Sequence, residues 1–238
     1  ITALVVAIAL LFLTPLLHFV PKAVLAAIIM TAVAGLIDLK EPRHLWHVDR
    51  ADFVFLAITF VATLAFGIEQ GILAGAAASI IVFVYRSTTP HLAVLGRLPD
   101  STVYRNLDRF PEAETTPGVL AIRVDAEFYF GNTRFLRETL TRLEDEMSEP
   151  LRAVVLDAGT VTRIDSSGLT ALSELLEDYQ KAGVKLFLTE LRGPVRDALD
   201  RAHLTERFGA AQLPLRVHDA FETLEEEQAP VPSLSGVA

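Results

Sequence analysis

The sequence predicts a membrane-embedded α-helical segment joined to a water-compatible α/β domain. Hydrophobic residues make up 51% of the 238-residue chain, and its mean hydropathy of +0.39 is more apolar than an ordinary soluble domain carries. Charge is segregated. Residues 1–86 hold 5 of the 21 Lys/Arg and 5 of the 30 Asp/Glu, so the net charge of −9 falls on residues 87–238. The periodicity changes at the same place, from unbroken apolar runs to alternating strand-like and helix-like patterns.

Residues 1–20 are apolar apart from Thr2, Thr14, Pro15 and His18. About 20 such residues cross a bilayer core as a helix, which Pro15 should kink and His18 should end at the interface. Residues 23–38 form a second span, with Lys22 placed to snorkel and Asp38 at the other end. Residues 40–52 (KEPRHLWHVDRAD) read as a polar interfacial loop. Residues 53–68 and 71–86 are the third and fourth spans, both short. Gly67, Gly71, Gly75, Ala76, Ala77, Ala78 and Ser79 favour close helix packing there.

Lys40, Arg43 and Arg50 lie between spans two and three, and Arg86 follows span four. Four crossings put both places on one side, which the positive-inside rule makes cytoplasmic, together with everything that follows. Glu69 sits at the expected hairpin tip as an interfacial carboxylate, and it is the one polar candidate in these spans for a functional intramembrane group. His44 and His47 have the i, i+3 spacing of a metal pair, yet no Cys or third ligand stands nearby; with Trp46 between them they read as an interfacial anchor. No metal site is expected. Ile1 opens inside an apolar run with no basic segment before it, so the chain reads as the C-terminal piece of a longer membrane protein.

Residues 87–118 form a connector with four prolines and a first strand over 101–106. Strands are expected at 119–124 and 127–130, with a turn at Asp125-Ala126, and a helix over 132–147. A buried strand at 151–156, a helix at 167–181 ended by Gly183, and a strand at 184–188 follow. Pro194 opens a short helix, 215–217 reads as a last strand, and Asp219 with Glu222 as a capping box for a final helix. Residues 228–238 read as a disordered tail. Strand–helix repetition over about 120 residues argues a sheet covered by helices. Phosphate-binding GxGxxG and GxxxxGK[ST] loops are absent, and an acidic chain without a basic stripe disfavours nucleic-acid binding. No cofactor is expected.

The stretch from Asp157 to Leu169 (DAGTVTRIDSSGL) concentrates the polar chemistry. A buried strand ends in Asp157, and Asp165, Ser166, Ser167 and Gly168 open a helix whose free N–H groups favour an anion. Asp165 or Ser166 can equally serve as an ordinary N-cap. With no His or Lys base beside it, the cluster lacks an enzyme's activated nucleophile.

The Asp165-Ser166-Ser167-Gly168-Leu169 turn after a VVLD strand resembles the STAS domain of anti-sigma factor antagonists and of sulfate permease (SulP) family transporters. The stretches Val20-Pro21-Lys22-Ala23, Gly35-Leu36-Ile37-Asp38, Asp49-Arg50-Ala51-Asp52-Phe53 and Gly67-Ile68-Glu69-Gln70-Gly71 look like the last membrane segments of that transporter family. Tyr104-Arg105-Asn106 and Phe128-Tyr129-Phe130-Gly131-Asn132 resemble its linker and STAS entry. The resemblance implies transmembrane helices over 1–86, a linker with the first strand over 87–118, and a STAS domain with a mixed sheet over 119–227. It implies a secondary anion transporter of the bacterial inner or plasma membrane, moving sulfate, bicarbonate or dicarboxylate, commonly a homodimer, with a cytosolic partner for the STAS domain. The anion-binding helices would precede this chain, so no substrate ligand falls within it. In the antagonists the second serine of the turn is the kinase target, which corresponds to Ser167. A membrane-tethered STAS protein that only binds a regulatory partner is the alternative.

Overall fold

The computed structural model describes residues 2–17 and 21–228. Two compact units divide the chain, Ile1–Ile80 and Ile81–Ala238. His18 and residues 229–238 of the expected tail lie outside the described residues, while Gln228, the first residue of that tail, is helical.

The first unit contains α1 (Thr2–Leu17), α2 (Lys22–Ala34), α3 (Lys40–Val48), α4 (Arg50–Phe66) and the start of α5 (Ile68–Thr88). α2 and α4 bury none of their residues, and apolar side chains such as Leu11, Met30, Phe60 and Leu64 are exposed all round. Helices apolar on every face belong in lipid or among other such helices. Among the described residues, α5 is the one helix both long and apolar enough to cross a membrane.

Two boundaries differ from expectation. Residues 40–52 are not a loop: they fold as α3 and the first turn of α4. Asp38 Oδ1 accepts the Lys40 N–H at 2.7 Å, which satisfies one of the free N–H groups at the helix start, and Glu41 sits in the first turn, where the dipole favours a carboxylate. The break between α4 and α5 falls at Gly67, two residues before Glu69. Gly67 takes φ +101°, a conformation open to glycine, and Glu69 moves from a hairpin tip into the first turn of α5.

Gly71 and Gly75 are the buried residues of α5. A Cβ on Gly71 would lie 1.9 Å from Thr63 Oγ1, and one on Gly75 2.0 Å from Thr59 Oγ1. Only glycine lets the two backbones approach this closely.

The second unit is built on a five-stranded mixed sheet in the order β2-β1-β3-β4-β5. β1 (Leu92–Arg97) pairs antiparallel with β2 (Tyr104–Asn106) and with β3 (Val119–Val124); β3, β4 (Ala153–Asp157) and β5 (Lys185–Thr189) run parallel. Alternation sorts the side chains. Leu120, Ile122, Val154, Leu156, Leu186 and Leu188 face α6 (Thr133–Asp145), α7 (Ser166–Lys181) and α8 (Gly193–Arg201). Val119, Ala121, Val155 and Phe187 face α10 (Val217–Gln228) through Ala220, Phe221 and Leu224. A short α9 (Leu204–Phe208), not foreseen, plugs Leu204 and Phe208 into the first of these cores.

Three strand expectations are corrected. The connector holds two strands, β1 and β2, rather than one over 101–106. Gly96 in β1 is forced by close approach, since a Cβ there would lie 2.6 Å from Leu107 Cδ2. Residues 127–130 make a single bridge, Phe128 to Ile164, because side chains of Asn132 and Asp165 take the backbone groups a ladder would need. Residues 215–217 are not a strand, and α10 begins at Val217. Asp219 lies inside its first turn and reaches back to accept the Arg216 N–H at 3.1 Å, so it is not the residue that precedes the helix.

Candidate functional site

The turn that opens α7 is held by one carboxylate. Asp165 is the N-cap: its Oδ1 accepts the Gly168 N–H at 2.7 Å and its carbonyl accepts the Leu169 N–H at 2.9 Å. Its Oδ2 accepts the Phe130 N–H at 3.1 Å, while its own N–H donates to the Phe128 carbonyl. Thus the cap also ties the 128–132 segment to α7. Gly168 is required there, since a Cβ would come within 2.9 Å of both Ile164 Cγ1 and the Phe128 carbonyl oxygen.

Held in this way, Ser166 and Ser167 are exposed in the first turn of α7. They line a shallow hollow of about 320 Å³ with Thr133, Thr170 and Glu174. Arg137 donates to Glu174 at 3.0 Å and to Asp178 at 2.7 Å, so the one carboxylate of the hollow is already paired. A phosphate on Ser167 would meet the positive end of the α7 dipole, with the capping Asp165 opposing it.

Asp157 is not part of this turn. It ends β4, its Oδ1 accepts the Gly159 N–H at 2.9 Å, and it lines a separate hollow with Glu190, Tyr104, Arg105, Arg216 and His218. Burial pushes its carboxyl above the ordinary 3.8, only partly offset by the Gly159 N–H and then by the charge of Arg123. Glu190 is raised as well, by burial and then by the charges of Asp157 and Asp219. Its backbone sits in the left-handed region at φ +58°. Glu69, the remaining candidate, is exposed in α5 within the first unit.

Sequence reasoning missed the 127–132 scaffold as part of the site. Asn132 is 3% exposed; its Nδ2 donates to the Glu127 carbonyl at 2.6 Å and its Oδ1 accepts the Tyr129 N–H at 3.1 Å. The usable signal was an Asn directly before a helical pattern. Also missed was the cluster at the end of β3, where Asp125 accepts from Arg123 Nε at 2.7 Å and lies 2.9 Å from His91 Nδ1. The Arg123 hydrogen bond holds the Asp125 carboxyl below its ordinary value, and His91 adds to it.

A mixed sheet with this order and an Asp-capped Ser-Ser-Gly turn, preceded by a helix long and apolar enough to cross a bilayer, fit the class that the sequence resembles: a membrane protein carrying a STAS domain. The STAS domain family model matches residues 110–224, and the sulfate permease family model matches residues 1–59. The chain is 39% identical over 231 residues to probable sulfate transporter 4.2 of Arabidopsis thaliana, covering 93% of this chain and 34% of the relative. It is 36% identical over 230 residues to high affinity sulfate transporter 2 of Stylosanthes hamata, covering 93% and 35%. The inward-facing structure of murine Solute Carrier 26 family member A9, an anion transporter, superposes with a TM-score of 0.77 at 25% identity, over 93% of this chain and 36% of that one. The chain is thus similar to sulfate permease family members over its permease segment and its STAS domain alike. It spans about a third of the length of the curated relatives it matches.

Proposed function

We propose that this chain is the C-terminal portion of a secondary active anion transporter whose STAS domain regulates transport or assembly. The observation that carries the reading is continuity: one alignment to a sulfate transporter runs through 93% of the chain, permease segment and STAS domain alike. Sulfate is the first substrate to test, because both plant relatives are named for it; bicarbonate and dicarboxylates come next. The anion site belongs to segments outside this chain. The same continuity favours a transporter over a membrane-tethered STAS protein that only binds a partner.

In this reading residues 1–86 are permease helices, 87–118 the linker with the entry to the sheet, and 119–227 the STAS domain. The basic residues Lys40, Arg43, Arg50 and Arg86 support a cytoplasmic side for that domain by the positive-inside rule. The protein works as a homodimer, and the STAS domain biases transport through contacts that differ between inward and outward states. Ser167 is the regulatory phosphoacceptor of the turn. Full-length protein in liposomes should take up radiolabelled sulfate, and removing residues 92–238 should change the rate or the assembly. Unaltered flux and trafficking after that deletion would contradict regulation. Mass spectrometry of protein from its native cells should find phosphate on Ser167; its absence would remove the phospho-switch.

A further inference from the structure

We infer that Tyr129 is a latch coupling the Ser166-Ser167 turn to the last turn of α5, with Asp165 at one end and Ser87 at the other. Its use in regulation rests on the reading of that turn as the regulated site. The coupling itself belongs to the second unit, which holds every residue it needs. Asp165 grips the chain on both sides of Tyr129: its N–H donates to the Phe128 carbonyl at 3.0 Å, and its Oδ2 accepts the Phe130 N–H at 3.1 Å. Between these bonds the Tyr129 N–H donates to Asn132 Oδ1 at 3.1 Å. A shift of Asp165 therefore shifts the Tyr129 backbone.

The ring carries that displacement outward. It packs against Gly131, where a Cβ would come within 2.6 Å of Tyr129 Cε2, and stands edge-on to the exposed Phe130 ring with centroids 5.4 Å apart. The hydroxyl of this confined ring is hydrogen-bonded to Ser87 Oγ in the last turn of α5. The neighbouring hydroxyls stay within the helix: Thr88 and Thr89 donate to the Tyr85 carbonyl at 3.0 and 2.8 Å. A second tie, from the Asp125 N–H to the His91 carbonyl at 3.1 Å, holds the approach to β1 and does not involve Asp165. Contiguous hydrogen-bonded groups of this kind carry coupling between sites. A phosphate on Ser167 would compete with Asp165 for the free N–H groups of α7, slackening its hold on Phe130 and, through Tyr129, on Ser87.

Hydrogen exchange of the full chain in detergent micelles, read residue by residue, tests the latch. Asp165→Asn keeps an acceptor for the Gly168 N–H but loses the one for the Phe130 N–H. It should speed exchange across residues 87–89 about fivefold, the weight of one ordinary hydrogen bond. Tyr129→Phe, which removes only the hydroxyl, should do the same. The double variant should exchange no faster than Tyr129→Phe alone, because both changes act through one bond. The Asp125 N–H lies outside this path and should keep its rate in all three. Exchange across 87–89 that is unchanged in either single variant, that rises in step with Asp125, or that multiplies in the double variant would overturn the latch. No phosphate is needed for this readout, so the two readings fail separately. Coupled exchange with no phosphate found on Ser167 leaves the latch and removes the phospho-switch; phosphate on Ser167 with uncoupled exchange does the reverse.

Discussion

Asp165 does two jobs with two oxygens, capping α7 and fastening Phe130. Asp165→Ala should therefore lower the stability of the domain by about 1–2 kcal/mol, the usual cost of losing an N-cap, measured by urea unfolding in detergent; Asp165→Asn keeps one acceptor and should recover the cap but not the bond from the Phe130 N–H. Ser167→Ala removes an exposed hydroxyl and should stay within about 0.5 kcal/mol. Asp157 has the opposite character. Because burial raises its carboxyl, the native state binds that proton more tightly than the unfolded chain does. The stabilisation this provides is complete below the ordinary 3.8 and is lost as pH rises through the raised value. Asp157→Asn keeps an acceptor for the Gly159 N–H, so it should gain stability at neutral pH and flatten the dependence of unfolding free energy on pH above 3.8; an unchanged pH profile would contradict this. The cap was legible because capping is decided within four residues. Asp157, at the other end of the same loop, faces a separate hollow with Glu190 from just beyond β5 and Arg216 from just before α10.

At the scale of elements, glycine at two positions decides how α4 meets α5. Gly75→Val would push a branched side chain into Thr59 and should cost about 1–3 kcal/mol by overpacking. Ala76→Val, on an exposed face of the same helix, should be tolerated. Melting temperatures of the two variants in one detergent check the contrast, and equal melting would remove the close-packing account. Most helices were legible, α6, α7 and α8 from an apolar stripe with its stop signals and the helices of the first unit from unbroken apolar runs, whereas α3 was read as a loop and α9 was not foreseen. Strands were less so. β1 was missed because Gly96 interrupts its apolar pattern and one of its two partners, β3, is distant in sequence. Residues 127–130 have strand-like composition, but Asn132 and Asp165 satisfy their backbone instead.

At the scale of the whole molecule, apolar side chains exposed along α1, α2, α4 and α5 require lipid or detergent. The chain should aggregate in detergent-free buffer, while residues 92–228 alone should stay monodisperse; size-exclusion chromatography reads both outcomes. That division, an uncharged apolar half and an acidic α/β half, was determined by composition and periodicity alone. So was the capped Ser-Ser-Gly turn, because hydropathy and capping act over short stretches of chain. Only the tertiary structure decided the strand order, the separation of Asp157 from the Ser167 turn and the outward Phe130. Each of these depends on which distant backbone and side-chain groups satisfy one another when the chain closes on itself.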